Sequence, residues 1–254
     1  MKEQWRLLQT GFNTAYSNMA IDRAILVANS NRHVPPTVRF YGWIPPAISL
    51  GYFQSVTEEI DVDACKKHGV DYVRRITGGG AVFHDKELTY SIVIPEAHPA
   101  IPKNILKSYE RICNALLIGL QQLGIEGTYV PINDILVEGK KISGNAQTRK
   151  ENTVLQHGTI LLDVNVDTMF SLLKVPNEKL KDKLIKDIKQ RVTSIEHITR
   201  KKIRFEDLAE ALTIGFEKEF QIELILGTLT KEEKILSTKF EKECFSTTQW
   251  NHRR

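Results

Sequence analysis

A chain of 254 residues, 41% hydrophobic and 26% charged, has the length and apolar content of one large globular domain. Its formal charge of +4, from 35 Lys and Arg against 31 Asp and Glu, is too small an excess to argue for nucleic acid, and fits an anionic ligand or an acidic protein partner. Cys65, Cys113 and Cys244 form no CxxC pair, no stretch nears the roughly 20 apolar residues of a membrane span, and MKEQWRLLQTG is not of signal-peptide type; a soluble cytoplasmic protein without disulfide scaffold or thiolate zinc is expected.

In chain order, WRLLQTG (5–11) reads as a strand, and NMAIDRAILVAN (18–29) as a helix with one buried face, capped by Ser17 or Asn18. TVRFYGW and AISLGYF (47–53) read as strands, with Ile48, Leu50 and Tyr52 on one face of the second. DVDACKKHG (61–69) suits a short helix closed by Gly69. VDYVRRI then enters a run of three glycines, and ELTYSIVIP (87–95) leaves it as a strand, which predicts a hairpin or bent loop.

Residues 102–123 carry the strongest helical period, through Ile105, Ile112, Leu116, Leu120 and Leu123, with Gly124 at the end. EGKK predicts a tight turn between strands DILV and KISG, and VLQHGTILLD a further strand. From about 165 the pattern turns helical and charged, in EKLKDKLIKDIK, RFEDLAEALTIGFEKEF and LTKEEKILSTKFEKE. The expectation is one α+β domain over 1–254 with a helical C-terminal part.

The chemistry-bearing residues cluster around the glycines. Gly78, Gly79 and Gly80 let backbone approach a ligand, and successive N–H groups can form an anion nest; the competing reading is a plain bend. No helix is expected directly after the run, so neither a Walker A loop nor a Rossmann fingerprint fits. Arg74 and Arg75 add charge, and on one strand only one of them reaches a given pocket. His84, beside Asp85, reads equally as a structural donor. Asn133–Asp134 reads as an Asx turn, or as a carboxylate holding a divalent cation against phosphate. Lys140 and Lys141 are solvated turn residues, or one of them aims at an oxyanion. His157 interrupts an apolar strand. His84, His157 and Asp134 match no compact zinc motif.

Taken together, RRITGGGAVFHD (74–85), PINDILVEGKKISGNAQ (131–147) and VLQHGTILLD (154–163) resemble the lipoate–protein ligase A family and its octanoyltransferase relatives. The resemblance extends from NTAYSNMAIDRAIL and RFYGW to STTQWN (246–251). It implies a mixed β-sheet flanked by helices, as in biotin–protein ligase catalytic domains. It also implies ATP-dependent activation of lipoate with Mg²⁺, then transfer to a carrier lysine. Carried over by motif, Lys141 is the catalytic residue. Arg75, Gly78, Gly79, Gly80, Ala81, His84, Asn133, Asp134, Ser143, Gly144 and His157 bind acyl group and nucleotide, with Asp134 also at the metal. The implied partners are lipoyl carrier domains, either glycine-cleavage H protein or 2-oxoacid dehydrogenase acyltransferase subunits.

The competitor is octanoyl transfer from an acyl carrier protein through a cysteine thioester, or amidotransfer of an octanoyl or lipoyl group between carrier proteins. Related transferases carry that cysteine shortly before the segment matching ILVEGKK, where this chain has none. The absence, with ND before ILVEGKK, favours the ligase. HDKELTYS, lacking the glycine–asparagine step common in ligases, and QTRKENTVLQHGTILLD both look transferase-like. Residues 165–254 are too few for the accessory domain that many ligases carry, so a separate small accessory subunit is expected. A non-catalytic acyl- or carrier-binding module is the remaining alternative.

Overall fold

The computed structural model describes residues 2–174 and 178–254, with backbone only over 178–184. The N-terminal half runs β1 (Glu3–Asn13), α1 (Ala15–Ser30), β2 (Thr37–Trp43), β3 (Ala47–Leu50), α2 (Val56–Glu59), α3 (Val62–Lys67), β4 (Asp71–Arg74), β5 (Val82–His84) and β6 (Glu87–Pro95). It continues through α4 (Ile105–Gln122), β7 (Thr128–Val130), β8 (Asp134–Val137), β9 (Lys140–Lys150) and β10 (Thr153–Leu161). The remainder holds α5 (Val166–Leu172), α6 (Glu178–Arg191), α7 (Ile195–Thr199), α8 (Phe205–Phe220), β11 (Ile222–Gly227) and α9 (Lys231–Phe240). A π-helical turn (Glu241–Phe245) and α10 (Thr248–Asn251) close it.

Eight strands form one mixed sheet in the order β11-β1-β2-β6-β10-β9-β8-β7, and three form a second in the order β4-β3-β5. In the large sheet β11 and β2 pair parallel to β1, while β2–β6, β6–β10, β10–β9, β9–β8 and β8–β7 are antiparallel. One face is covered by α4 and α8, whose Ile112, Leu116 and Leu120 meet Leu208, Leu212 and Phe216 in a common core. A methyl group on Gly215 would lie 2.1 Å from the Ala115 carbonyl oxygen, so glycine is what lets these helices touch. The other face is covered by α1, whose Met19, Ile25 and Leu26 pack with Tyr41, Trp43 and Phe245. Fully burying each such side chain stabilises the fold by about 1.5–3 kcal/mol. The expected α+β architecture, a mixed sheet between helices, is therefore found.

Local details differ from the sequence reading. Thr14, not Ser17 or Asn18, caps α1, its side chain accepting from Ser17 N at 3.2 Å. β3 stops at Leu50, before the residue expected to extend its face, and Ile105 on α4 is 55% exposed. The glycine run joins no hairpin: β4 pairs parallel and β5 antiparallel to opposite edges of β3, so the loop crosses that strand. The C-terminal part is not all helical either. Ile222–Gly227 joins the edge of the main sheet, tying it to the first strand. No helix among the described residues is long and apolar enough to cross a membrane.

Candidate functional site

Between the two sheets lies a cavity of about 150 Å³. Met19, Tyr41, Trp43, Ala81, Val82 and Ala146 supply apolar walls, while Ser49, Arg75, His84, Asn133, Lys141 and His157 are among its polar ones. A ligand with both apolar and polar parts matches that lining better than a uniformly charged one does.

The lysine reaches the cavity through a hairpin and a bulge. Glu138 and Gly139 both adopt positive φ, 51° and 75°, which is the turn that closes a two-residue hairpin between β8 and β9. Pairing runs Asp134 to Gly144 and Ile135 to Ser143, then shifts to Leu136 with Lys141, leaving Ile142 extra. That bulge re-aims Lys141 onto the face shared by Asp134 and Gly144. Lys141 Nζ lies 2.7 Å from Asp134 Oδ1, an ion-pair contact without hydrogen-bond alignment, so this buried oxygen lacks a hydrogen-bond partner. A methyl group on Gly144 would stand 2.9 Å from Lys141 Nζ, so glycine leaves the ammonium its place. Asn133 clamps the preceding loop: its Nδ2 donates to Asn145 O at 2.6 Å, and Asn145 Nδ2 returns to Asn133 O at 2.8 Å.

Arg74 and Arg75 separate as alternation requires. Arg74 turns away from the cavity and donates to the carbonyls of Gly51, Tyr52, Gln54, Trp250 and Asn251, fastening the C-terminal segment. Arg75 lines the cavity, but its donors serve the protein. Nε meets Thr77 Oγ1 at 3.3 Å, Nη1 meets Ser49 O and Oγ at 2.6 and 2.8 Å, and Nη2 meets the Gly78 and Gly80 carbonyls at 2.9 Å each. It thus holds the glycine loop. Burial lowers its pKa to about 10, which leaves it cationic at neutral pH. Gly79 takes φ 97°, and a methyl on Gly51 would lie 1.9 Å from the Gly79 carbonyl oxygen, so the loop packs directly on the end of β3.

Two imidazoles flank these groups, each held at both nitrogens. His84 stacks on Trp43 at 4.0 Å, with Nε2 2.6 Å from Ser49 Oγ and Nδ1 2.6 Å from Glu87 Oε1. His157 places Nε2 2.7 Å from Thr77 Oγ1 and Nδ1 3.3 Å from Asp22 Oδ2. Burial pushes His157 below its ordinary pKa of 6.5, against the upward pull of Asp22. It is therefore neutral at pH 7, and the Asp22 contact is a hydrogen bond. Burial would raise Asp22, yet the Arg39 guanidinium at 2.7 Å and His157 hold its carboxyl below the usual range. With both imidazoles engaged in this way, neither is a free metal ligand. No group of three or more His, Cys, Asp or Glu side chains among the described residues could hold a metal.

Of the residues singled out from the sequence, Arg75, Gly79, Gly80, Ala81, His84, Asn133, Lys141, Gly144 and His157 line one cavity. Asp134 stands behind Lys141, and Gly78 touches the site through Arg75. Ser143 is buried and does not line the cavity; Asn145 Nδ2 approaches its Oγ at 3.4 Å. The sequence reading missed Ser49, Thr77, Glu87, Asp22 and Asn145, which position the others. Asp22 alone carried a visible signal, a carboxylate inside an apolar helix stripe. No cysteine lines the cavity: Cys113 lies in the core, its pKa pushed by burial to about 12, and Cys65 is buried near the second sheet at about 11. Cys244 is half-buried beside the C-terminal turn, and burial raises it too.

Residues 14–217 match the family model for the lipoyl protein ligase A/B catalytic domain. The octanoyltransferase LipM of Geobacillus kaustophilus is 41% identical over 276 aligned residues, spanning 100% of this chain and 99% of that protein. LipM of Bacillus subtilis is 33% identical over the same coverage. Both aligned spans exceed the 254 residues of this chain, so these relatives carry residues that it lacks. Among solved structures, a chain from the bi-partite lipoate protein ligase and E2 lipoyl domain system of Thermoplasma acidophilum superposes with TM-score 0.89 and 29% identity, covering 98% of this chain and 96% of that one. A lipoate-protein ligase A bound with ATP gives 0.81 and 27%, covering 99% of each chain.

Proposed function

Because the chain belongs to the lipoyl protein ligase A/B catalytic-domain family, we propose that it moves an octanoyl or lipoyl group onto a lysine of lipoyl carrier domains, without an acyl-cysteine intermediate. The observation that carries this reading is the cavity itself, which presents Lys141 beside Asp134 and has no thiol in its wall. The carrier amine attacks the acyl carbonyl, whose oxygen gains negative charge as the carbon becomes tetrahedral. Lys141 meets that charge, with Asp134 fixing the ammonium before the reaction begins. The oxygen then re-forms the carbonyl and expels the leaving group, and the proton lost by the amine passes to that leaving group or to solvent. Met19, Tyr41 and Trp43 line the wall along which the acyl chain lies, each buried CH₂ contributing about 0.8 kcal/mol.

The leaving group distinguishes two versions. Full-length relatives named octanoyltransferases support a carrier-protein thioester as donor, with direct transfer to the acceptor lysine. They weigh against the ligase reading that the absent cysteine favours. The second version is that ATP-dependent ligase, supported by the absent thiol and by the structural likeness to lipoate ligases. There Asp134, whose Oδ1 lacks a hydrogen-bond partner, would be the protein's carboxylate toward Mg²⁺, with nucleotide phosphates supplying further oxygens. MgATP would supply the activated leaving group, and an accessory subunit like that of a bi-partite ligase would belong to this version.

Incubating the chain with an apo lipoyl domain and either octanoyl carrier thioester, or octanoate with MgATP, separates them by mass spectrometry. Acyl gain on the carrier from thioester alone supports transfer. Gain only with MgATP, and AMP release, supports ligation. No gain from either donor, with or without candidate accessory protein, would leave only a binding module.

A further inference from the structure

Outside the cavity, three cations rest on aromatic rings next to the glycine loop. Tyr52 and Phe53 follow Gly51, and Tyr52 N donates to Thr77 O at 2.8 Å, tying these rings to the loop. The Arg253 guanidinium lies 4.4 Å from the Tyr52 ring and 5.1 Å from Trp250, Arg254 lies 5.3 Å from Phe53, and Lys150 Nζ lies 4.8 Å from Tyr52. None of the three cations has an ion-pair partner among the described residues, and Phe53 is 66% exposed. The adjacent carboxylate, Glu151, is turned to Arg23 at 2.5 Å. Arg74 beneath is already committed to backbone carbonyls, and burial and then the charges of Arg253 and Arg254 depress its pKa. The surface is thus positively charged and ringed by aromatics, its three cations unpaired among the described residues. Arginine and aromatic side chains are the ones that dominate protein interfaces, and charge of one sign steers a partner of the other.

Resting on the reading that a folded carrier domain brings its lysine to Lys141, we propose that Lys150, Arg253 and Arg254, with Tyr52 and Phe53, form the docking surface for an acidic face of the lipoyl carrier domain. The position fits. Tyr52 follows Gly51, which packs on the carbonyl of cavity-lining Gly79, so the patch adjoins the cavity wall at the glycine loop. A protein interface covers about 800 Å² per partner, a disc of about 16 Å radius. A carrier centred on the cavity therefore reaches this patch.

The test measures binding and turnover separately. Apo lipoyl domain from a 2-oxoacid dehydrogenase acyltransferase subunit is titrated by calorimetry into the wild-type chain and the variant Lys150→Glu/Arg253→Glu/Arg254→Glu. The variant is expected to bind about tenfold or more weakly, with a shallower salt dependence, while octanoate binding and melting temperature stay unchanged. If wild type acylates the domain, KM should rise with kcat nearly constant. Equal affinity and salt dependence for wild type and variant would overturn the docking surface, as would no binding to wild type. The same would follow if acyl carrier protein alone lost affinity. Binding that weakens as expected, without acyl transfer by wild type from any donor, would leave the surface standing and reject the catalytic reading instead.

Discussion

At the residue scale, the proposed chemistry converges on Lys141, which a bulge at Ile142 and a glycine at position 144 aim beside Asp134. Lys141→Ala should lower single-turnover acyl transfer by roughly 10²–10³, with the circular dichroism spectrum unchanged; transfer within a few-fold of wild type would remove Lys141 from the reaction. His157 makes a second claim at this scale. Its folded pKa lies below 6.5, so between that folded value and about 6.5 the unfolded chain binds the extra proton. Stability then rises with pH through this window, by at most about 1.4 kcal/mol per pH unit, and levels off above it. Asp22, depressed in the folded state, adds stability above its ordinary 3.8 that is lost as pH falls through its folded value. Denaturant melts of His157→Gln should show a flatter slope just below pH 6.5; a slope equal to wild type would mean that His157 is protonated in the fold. Lys141 was legible from its motif. Arg75 was legible as a charge near the glycines, whereas its contacts to Thr77, Ser49, Gly78 and Gly80 were not, because charge in a sequence does not reveal which acceptors meet it.

At the element scale, the glycine loop and β3 act as one unit. Gly51→Ala drives a methyl into the Gly79 carbonyl, a backbone atom that yields only if the loop moves. Thermal unfolding should show a loss of about 1–3 kcal/mol, and calorimetry should show weakened octanoate binding. Gly78→Ala meets no atom within 4 Å and serves as the control, expected within about 0.5 kcal/mol of wild type. If both substitutions behave alike, the close approach at Gly51 is not what shapes the loop. The sequence reveals glycines and flanking strands here, and leaves a hairpin and a bent loop both open. Both β4 and β5 border β3 instead, and long-range pairing of that kind leaves no local pattern. The same limit hid β11: Ile222–Gly227 follows a strongly helical stretch, and only its pairing with β1 makes it a strand. The hairpin of β8 and β9 was legible because Glu138–Gly139 encodes it locally.

At the scale of the whole molecule, the fold brings segments from three regions of the chain to one cavity: the glycine loop, the β8–β9 hairpin and β10. That convergence was visible as three ordered motifs, whereas the supporting contacts from Asp22, Ser49 and Glu87 became visible only in three dimensions. All three cysteines lie outside the cavity wall, in surroundings that raise their pKa values. The proposed acyl transfer therefore proceeds without an enzyme thiol, and its most direct measurement uses the variant Cys65→Ala/Cys113→Ala/Cys244→Ala with the productive donor. Its rate of carrier-lysine acylation should stay within a few-fold of wild type, and intact-mass spectrometry of wild type trapped during turnover should show no hydroxylamine-labile acyl adduct on cysteine. An acyl-cysteine adduct in wild type, formed and consumed at the rate of turnover, would contradict the account whether or not the variant folds.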